Sequence, residues 1–544
     1  MRMQMSGFHG AWMAAAVLVA GLAACGGDGG GGGTDTGNDA VVTDTPKTDA
    51  VQPEDAMQPK DTTQPKDTTQ PNDTVQPNDT AQPNDTGNAE TAQDVVVEDV
   101  PFSHATAPAL AGPFDSGAAV TAACITCHAD EADELMGSVH WTWKGPTPQM
   151  VGHEGEKHGK YDTINNFCIA VPSNEGRCTQ CHAGYGFKDK DFDFADKSAM
   201  DCLVCHDQSG IYKKDKKTAG LPVPDIDLAA AAQSVGSPTR ANCGACHFFA
   251  GGGDNVKKGD LGTALLEPSA QADVHMGGQG FVCQDCHQTE KHNIPGASLH
   301  IGIDTGRVLC TDCHDDAKIH SNDLLNTHTQ HVACQTCHIP TFSRQQYTKT
   351  YWDWSKAGDK NDDGSQKIVT DEFGNHTYDS MKGEFKWEKN VKPTLAWWNG
   401  SFKRQLVGDT YDSVPVDLAS PMGDIKDPKA RIYPFKVMVG IQGVDPEKKR
   451  VLVPHLFGKG SGENPYWVAY DWAKAFAEGM SYVGVDYSGT FDWAETTMYM
   501  AINHEVAPKA QARGCNDCHN GGIDFTELGY TGDPMTVGGE HATE

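Results

Sequence analysis

The pattern of apolar and polar residues divides the chain into three unlike parts. An apolar run from Ala11 to Ala24 follows a single basic residue and is short for a membrane span, so residues 1–25 are predicted to be a secretion signal. Residues 26–100 have few apolar side chains and repeat a proline-containing hexapeptide from Gln58 onward, which predicts an extended, unfolded tether. Residues 101–544 mix both kinds of position and are predicted to form one folded domain.

Within the folded part, the pattern predicts short helices separated by long irregular loops, with little sheet. Asn464 to Tyr482 has the spacing of an amphipathic helix, and Phe491 to Val506 is interpreted as a second helix that carries His504. The fold class is therefore predicted to be mainly α with long irregular loops.

Composition narrows the class of protein and its compartment. The 544 residues include 43 Lys and Arg against 74 Asp and Glu, a net charge of −31, and no basic cluster, so nucleic acid is excluded as a partner. A reducing cytosol rarely calls for 18 cysteines, so these residues are predicted to form disulfides, metal sites or covalent cofactor links.

The end of the apolar run suggests how the chain is anchored. Leu22-Ala23-Ala24-Cys25 resembles a bacterial lipobox, whose cysteine becomes the lipidated first residue of the mature protein. The following Gly26 favours the outer membrane, so we predict an extracytoplasmic lipoprotein attached to a membrane through Cys25. A plain secretion signal with a chance cysteine is the alternative.

Sixteen cysteines fall in eight Cys-x-x-Cys-His motifs in the folded part. The cysteines are Cys124 and Cys127, Cys178 and Cys181, Cys202 and Cys205, Cys243 and Cys246, Cys283 and Cys286, Cys310 and Cys313, Cys334 and Cys337, and Cys515 and Cys518; the histidines are His128, His182, His206, His247, His287, His314, His338 and His519. Zinc ribbons and redox dithiols also use Cys-x-x-Cys, but neither needs the histidine each time. The pattern predicts eight covalent c-type haems, packed closely enough to form much of the core and to pass electrons between them.

Each iron also needs a sixth ligand or an open face. The histidines favoured as distal ligands are His140, His275, His292, His300, His320, His331 and His504, because they lie in the motif-dense stretches or just before the last motif. Twelve candidate histidines for eight irons do not decide whether one haem keeps an open, catalytic face.

Several segments of the folded part are distinctive: Asn165 to Ala170, Ser173 to Glu175, Cys178-Thr179-Gln180-Cys181-His182-Ala183-Gly184-Tyr185-Gly186-Phe187-Lys188, Asn242 to Phe248, Trp352 to Gly358, Lys382 to Phe385, Trp387 to Asn390 and Ala430 to Lys436. Together with the eight motifs, they resemble the octahaem tetrathionate reductase family, which is related more distantly to hydroxylamine oxidoreductase and cytochrome c nitrite reductase. The resemblance covers roughly residues 115–525 and does not include the tether.

The resemblance implies seven haems with two histidine ligands each and a second haem, on Cys178 and Cys181, whose iron is held by a lysine. Lys188 is the predicted ligand, with Lys190 and Lys197 as alternatives. Cys168, the one cysteine of the folded part outside the motifs, is predicted to lie near that haem. Tyr185 is a candidate proton donor, and His158 is a candidate for a positively charged group that lines the substrate site. Both are predicted to belong to the catalytic site.

The implied activity is reduction of tetrathionate to thiosulfate, and the same site could serve nitrite or hydroxylamine. The predicted partners are a small anionic or hydroxylamine substrate and an electron donor, either a quinol-oxidising or a periplasmic cytochrome. The alternative is a non-catalytic cell-surface conduit in which every haem has two histidine ligands.

One further motif suggests a cation. Asp359-Lys360-Asn361-Asp362-Asp363-Gly364 resembles the start of a calcium loop, but Thr370 stands where a bidentate glutamate is expected. We interpret the segment as a turn, with calcium as the less favoured alternative.

Overall fold

The computed structural model describes residues 102–296, 307–314, 319–458 and 462–536. The predicted signal, the tether and Cys25 lie outside the described residues, as does His300, so the boundaries predicted for the first two parts stay predictions. Within the described ranges, no helix is both long and apolar enough to cross a membrane.

The α-helices are short, and most lie before residue 340, where the attachment motifs are dense. They are α1 Gly117–Ile125, α2 Ala129–Gly137, α3 Val139–Thr142, α4 Glu175–Cys178, α5 Leu203–His206, α6 Leu228–Gln233, α7 Arg240–His247, α8 Cys283–Cys286, α9 Cys310–Cys313, α10 Asp323–His328, α11 Cys334–His338, α12 Tyr466–Ala469 and α13 Trp472–Val483. Polar residues cap the first turn of several helices. At the start of α1, Ser116 accepts a hydrogen bond from the amide of Ala119, and at the start of α7, Thr239 forms a capping box with Asn242.

The strands lie mainly between residues 348 and 501. They are β1 Gly145–Pro146, β2 Lys157–His158, β3 Thr348–Asp353, β4 Ile368–Thr370, β5 His376–Asp379, β6 Gly383–Glu388, β7 Thr394–Trp398, β8 Phe402–Arg404, β9 Val416–Pro421, β10 Arg431–Asp445, β11 Arg450–Val451 and β12 Asp492–Ala501. Strands β1 and β2 form a separate antiparallel pair.

The other ten strands form one sheet, in the order β4-β5-β6-β3-β10-β12-β9-β8, with β7 and β11 also paired to β10. Strand β10 is 15 residues long and buried over most of its length, which is typical of a central strand. It runs antiparallel to β12, from Phe435 opposite Ala501 to Val444 opposite Asp492, and parallel to β3. The prediction of little sheet is therefore wrong, and the fold combines short helices with a large mixed sheet.

The segment predicted as a helix over Phe491 to Val506 is strand β12. Ala494, Thr496, Met498 and Met500 are buried at every second position, which is the period of a strand. The aromatic residues Trp493 and Tyr499, at the alternate positions, conceal this alternation in the sequence. The predicted helix over Asn464 to Tyr482 is confirmed as two helices, α12 and α13, because Tyr470 adopts a left-handed conformation between them.

The central strand supports the loop that carries Cys168. A Cβ on Gly440 of β10 would lie 2.8 Å from the Cβ of Asn166, so only glycine lets this loop pack on the strand. The Asn166 side-chain amide donates to the carbonyl of Met438, 2.6 Å away. These contacts fix the position of the loop against β10.

The segment considered for calcium is a turn. The amide of Gly364 donates to the carbonyl of Asn361 over 2.8 Å, and Gly364 has a φ of 81°. One carboxylate oxygen of Asp363 accepts from both the amide and the hydroxyl of Ser365. The loop geometry is satisfied by these internal hydrogen bonds.

We expect Asp445 to be a major contributor to the stability of the sheet. Its buried carboxylate accepts from the amide and hydroxyl of Ser488 at 2.7 and 2.9 Å and from the amides of Glu447 and Lys448. Burial alone would raise the pKa of Asp445, but these donors lower it below its ordinary value. Replacing Asp445 by alanine should therefore reduce the free energy of unfolding by about 3 kcal/mol at neutral pH.

Denaturant titration followed by tryptophan fluorescence measures this loss. Because the folded-state pKa is depressed, the contribution is present above the pKa of an unfolded aspartate and disappears as the pH falls through the folded value. The wild type and the Asp445→Ala variant should therefore converge in acid. Asp486→Ala, which removes an exposed ion pair with Lys448, is the matched control and should change little. Equal effects of the two variants would contradict this assignment.

Candidate functional site

Most attachment motifs form the same tight helical turn. The amide of the motif histidine donates to the carbonyl of the first cysteine at 3.0 Å for His128, 3.1 Å for His206, 2.9 Å for His287, 2.9 Å for His314 and 2.8 Å for His519. In α7 and α11 the motif histidine ends the helix. The first cysteine and the histidine, four residues apart, therefore lie on one face of the turn.

Seven motif histidines face a second histidine. The ring centroids are 6.0 Å apart for His128 and His104, 6.1 Å for His247 and His140, 6.5 Å for His206 and His292, 6.3 Å for His314 and His275, 6.4 Å for His287 and His504, 6.3 Å for His338 and His320, and 6.3 Å for His519 and His328. Rings in ordinary packing contact lie at variable separations, so a narrow range repeated seven times indicates a common cause.

Hydrogen bonds orient six of these fourteen rings. Three of them contact a backbone carbonyl through Nδ1: His206 with Gly236 at 2.9 Å, His287 with Pro295 at 2.8 Å and His328 with Leu324 at 2.8 Å. The other three contact a carboxylate through Nδ1: His292 with Glu134 at 3.1 Å, His504 with Asp260 at 3.3 Å and His519 with Asp533 at 2.6 Å. Fixing Nδ1 in this way leaves Nε2 as the atom that binds a metal.

The spacing fits an iron between each pair. An iron with a bond of about 2 Å to a nitrogen of each ring holds the two centroids roughly 6 Å apart. The donor set is also suitable, because neutral imidazoles are common axial ligands of haem. The residues therefore fit covalently attached haem at these seven motifs.

The second motif is built differently. The amide of His182 donates to Thr179 rather than to Cys178, and the turn is a 3-10 helix that leaves His182 extended. Its Nε2 atom lies 2.5 Å from the carbonyl oxygen of Trp141. Burial lowers the pKa of His182 to about 3, so the ring is neutral and donates this hydrogen bond.

The surroundings of His182 are also different. In the part of the chain that the structure describes, the rings packed on it are those of Trp141, Trp143, Phe187, Phe192 and Phe194. Among the described residues, no second imidazole faces His182 in the way that one faces each of the other seven motif histidines. The nitrogen that would bind iron is directed at the backbone instead.

A strained loop presents Cys168 beside this motif. The side-chain oxygen of Asn165 accepts from the amides of Phe167 and Cys168 at 3.2 and 2.8 Å, and the Asn165 amide donates to the carbonyl of Ile169. Ile169 has a φ of 62°, a rare conformation for a β-branched residue. Strain of this kind persists where the surroundings over-determine the backbone, as at functional sites.

Lysines surround the Cys168 thiol. Burial raises its pKa, against the opposing influence of Lys160, Lys349 and Lys382. The ammonium group of Lys349 lies 3.4 Å from the ring centroid of Phe385, and burial lowers the pKa of Lys349 well below its ordinary value. The positive charge near the thiol therefore comes from Lys160 and Lys382, in a chain whose net charge is −31.

Lys257 approaches the same thiol from the other side. A Cβ on Gly252 would lie 3.3 Å from the Cys168 sulfur, so the glycine run Gly251 to Gly253 packs directly against it. Lys257 follows this run. Burial and repulsion by Lys160 lower the pKa of Lys257 to about 7.

The amine of Lys257 differs from those of neighbouring lysines. Lys258 donates to the carbonyl of Ala501 at 2.8 Å, and Lys436 donates to that of Val256 at 2.7 Å. The Nζ atom of Lys257 has no hydrogen bond or ion pair to any residue within the described ranges. A half-buried amine in this state is suited to bind a group supplied from outside the chain.

A buried carboxyl group lies one helical turn before Cys178. One oxygen of Glu175 accepts hydrogen bonds from the hydroxyls of Tyr161 and Tyr482, both at 2.8 Å. Burial raises the pKa of Glu175 despite these donors. Tyr161 and Tyr482 also line an open cleft of about 360 Å³, which connects the carboxyl to solvent.

The structure gathers some of the predicted catalytic residues and separates others. Cys168 lies at the second motif, but Lys188 is exposed. The hydroxyl of Tyr185 donates to Asp201 at 3.0 Å, so this tyrosine is engaged elsewhere. His158 lies on strand β2, where it contacts Glu156.

The alternative lysines are also engaged elsewhere. Lys197 forms an ion pair with Asp133, and the ammonium group of Lys190 lies over the ring of Tyr482.

Comparison with known proteins identifies the family. Residues 349–522 match the family model described as bacterial cytochrome c. The crystal structure of octaheme cytochrome c from Shewanella oneidensis is 47% identical, with a TM-score of 0.73, and the match covers 79% of this chain and 97% of that one. This chain belongs to the octahaem cytochromes c. An uncharacterised Archaeoglobus fulgidus protein is also 26% identical over 218 residues, which are 31% of this chain and 73% of that protein.

Membership of the octahaem cytochromes c has direct consequences. The chain carries covalently bound haem c, has a redox role and works outside the cytoplasm, as bacterial c-type cytochromes do. It is an oxidoreductase at this general level.

Sequence reasoning missed four residues that the geometry brings forward. They are His104, His328, Lys257 and Glu175. His104 lies near the predicted tether, and His328 is one of the twelve candidate histidines but not one of the seven favoured as ligands. The glycine run before Lys257 was a usable signal, because it indicates a close backbone approach.

Proposed function

We propose that this octahaem cytochrome is a reductase with one active haem, on Cys178 and Cys181, and seven haems that each have two histidine ligands. The proposed substrate is the tetrathionate anion, which is reduced to thiosulfate, with nitrite or hydroxylamine as further substrates. The observation that carries the proposal is the orientation of His182, whose Nε2 atom contacts the carbonyl of Trp141 instead of facing a second histidine. A purely electron-conducting chain has no need of this exception.

Lys257 is the proposed protein ligand of the active haem, in place of Lys188. Its amine is half-buried, and its pKa of about 7 makes the neutral form, which has a lone pair, accessible near neutral pH. Lys188 is exposed and would have to leave solvent to reach the same position. When bound, the haem supplies one-electron chemistry and an iron with one exchangeable face.

The chain itself supplies the anion-binding surface. Lys160 and Lys382 lie near the Cys168 thiol, and their charge offsets the repulsion that an acidic protein exerts on an anion. The ammonium group of Lys160 lies 4.3 Å from the ring centroid of Trp143, beside the second motif. These lysines would hold the substrate before its S–S or N–O bond is broken.

Several attachment sites lie next to one another. Four thiol pairs from different motifs are in contact, as their mutual effects on pKa indicate: Cys124 with Cys202, Cys181 with Cys246, Cys243 with Cys283, and Cys310 with Cys334. Cys181 connects the second motif to the fourth. Because Cys243 of the fourth motif contacts Cys283 of the fifth, this arrangement supports a relay that delivers electrons to the proposed active haem from the fourth and fifth haems.

Glu175 is the proposed proton donor. Its raised pKa keeps a proton available at higher pH than an exposed glutamate would, and Tyr161 and Tyr482 connect it to the cleft. This role replaces the one predicted for Tyr185, whose hydroxyl is bound to Asp201.

The proposal also includes a membrane anchor and an electron donor. The lipobox-like residues before Cys25 support a lipoprotein on the outer membrane, and the acidic surface supports a basic or quinol-linked cytochrome as electron donor. Radiolabelled palmitate incorporation that is lost in a Cys25→Ala variant would test the anchor.

Electron paramagnetic resonance of the oxidised holoprotein tests the active haem. We expect seven low-spin signals of the bis-histidine kind and one high-spin or lysine-type signal. Steady-state rates with a reduced dye and each substrate in turn then rank tetrathionate, nitrite and hydroxylamine. Eight bis-histidine signals and no turnover would favour the alternative conduit.

The distal ligand of the last haem provides a separate test. We expect His328→Ala to convert one low-spin haem to high spin, because His328 faces His519 across 6.3 Å. His331→Ala is the matched control, three residues further along, and should leave the low-spin signals intact. Absorption and resonance spectra of the two purified variants distinguish them, and the reverse result would restore His331 as the ligand.

A further inference from the structure

A second cluster of ligating side chains lies outside the haem sites. His153, Glu156 and His158 occupy the hairpin between β1 and β2, and one donor atom from each lies within 4.8 Å of the other two. The Nδ1 atom of His153 is 2.9 Å from a carboxylate oxygen of Glu156, and the Nε2 atom of His158 contacts the same oxygen. Two imidazoles and one carboxylate therefore converge on one point.

The hairpin holds these donors in place. The amide of His153 donates to the carbonyl of Met150 at 2.9 Å, and the amide of Glu156 donates to that of His153 at 3.1 Å. The buried hydroxyl of Thr147 contacts the carbonyls of both His153 and Glu156. The backbone between the two strands is therefore closed by hydrogen bonds on its inner side, which directs the three side chains outward together.

A supporting carboxylate stands behind His158. The Nδ1 atom of His158 lies 3.3 Å from Asp162, and Asp162 is held by Lys144 at 2.8 Å. Histidines that bind metals usually donate their second nitrogen to a carboxylate, which fixes the tautomer and the direction of the ring. This contact is not needed if His158 only pairs with Glu156, so it points independently to a ligand at Nε2.

We propose that His153, Glu156 and His158 bind a divalent transition-metal cation of the zinc class, with water in the fourth position. Imidazole nitrogens favour zinc over calcium or magnesium, which prefer all-oxygen ligands. Two neutral histidines and one carboxylate suit a tetrahedral ion with one open position. The acidic chain, with a net charge of −31, attracts such a cation.

The position suggests what the cation does. Lys160 and Tyr161 follow β2 directly, and Lys160 lies over Trp143 beside the second motif. A metal that fastens the hairpin would hold Tyr161 in the wall of the cleft and Lys160 beside Trp143. The proposal stands whether or not the proposed reductase activity is correct, because its test measures metal and not turnover.

Zinc binding by the holoprotein tests the site. The octahaem protein is treated with EDTA, which leaves covalent haem in place, and zinc chloride is then added and the excess removed. We expect about one zinc per chain by mass spectrometry, and an X-ray absorption spectrum at the zinc edge with two imidazoles and oxygen ligands. Haem iron does not interfere, because it absorbs at a different edge.

Variants identify the ligands. His153→Ala and His158→Ala should each remove one imidazole from the spectrum and weaken binding, and Asp162→Asn should weaken it about tenfold or more without changing the ligands. His376→Ala, at a histidine on β5 outside the cluster, is the matched control and should bind zinc as the wild type does. Unchanged haem absorption verifies that each variant is folded. Zinc bound equally by the wild type and by His153→Ala and His158→Ala, or not bound by the wild type, would overturn the proposal.

Discussion

Replacement of Lys257 by alanine is expected to lower kcat/KM for tetrathionate and for hydroxylamine by about a hundredfold or more, or roughly 2.7 kcal/mol of transition-state stabilisation. The reason is that the half-buried amine of Lys257 is the proposed protein ligand of the active haem, and His182 cannot replace it while its Nε2 atom donates to Trp141. The resonance signal of the active haem should change at the same time, because its protein ligand is lost. Steady-state assays with a reduced dye measure the first effect, and electron paramagnetic resonance measures the second.

Lys188 is the competing candidate and provides the decisive comparison. Lys188→Ala should leave both the rate and the resonance signal close to those of the wild type, because its side chain is exposed. The spectra of the bis-histidine haems should be unchanged in both variants, which verifies that the fold is intact. If Lys188→Ala alters the active-haem signal and Lys257→Ala does not, the earlier prediction is right and our proposal is wrong.

Replacement of Glu175 by glutamine is expected to separate the substrates. Tetrathionate reduction to two thiosulfates takes two electrons and no proton, whereas nitrite reduction to ammonium takes six electrons and eight protons. Because Glu175 is the proposed proton donor, the variant should lose about a hundredfold in the rate with nitrite. Its rate with tetrathionate should change little. Glutamine keeps the size of the side chain and can still accept hydrogen bonds from Tyr161 and Tyr482.

The pH dependence of the nitrite rate gives a second measurement. Burial raises the pKa of Glu175, so its carboxyl is protonated below that raised value and the wild-type rate should fall as the pH rises through it. The glutamine variant should lack this step. Tyr185→Phe is the control, because the Tyr185 hydroxyl is bound to Asp201 and is not part of this route. Equal losses with nitrite and tetrathionate would indicate a structural effect and would contradict the role of Glu175 as a proton donor.

Two residues of the candidate site, Cys168 and Lys257, differ in how clearly the sequence indicates them. Cys168 was identified beside the second motif from the family resemblance. Lys257 was not found, because its importance depends on a glycine run that packs against Cys168 from a segment about ninety residues away. A contact between such distant segments leaves no periodic pattern in the sequence.

The fold was predicted in part for similar reasons. Residues before about 340 form short helical turns around cysteine motifs, as the local spacing indicates. The ten-stranded sheet was missed because β10 is apolar on both faces, and such a run does not distinguish a buried strand from a buried helix. Its neighbours β3 and β12 come from widely separated segments, and their pairing decides the matter.

The sequence by itself determined the chemistry that is written in short covalent motifs: eight Cys-x-x-Cys-His sites, and hence a multihaem cytochrome c in an extracytoplasmic compartment. Spacing within a few residues suffices for this, because both thioethers and the proximal histidine come from one turn. Only the tertiary structure brought seven motif histidines opposite seven others and turned His182 towards the backbone. Those arrangements depend on side chains from distant segments that meet in the fold, where burial and hydrogen-bond partners, not local spacing, decide which atom faces the haem.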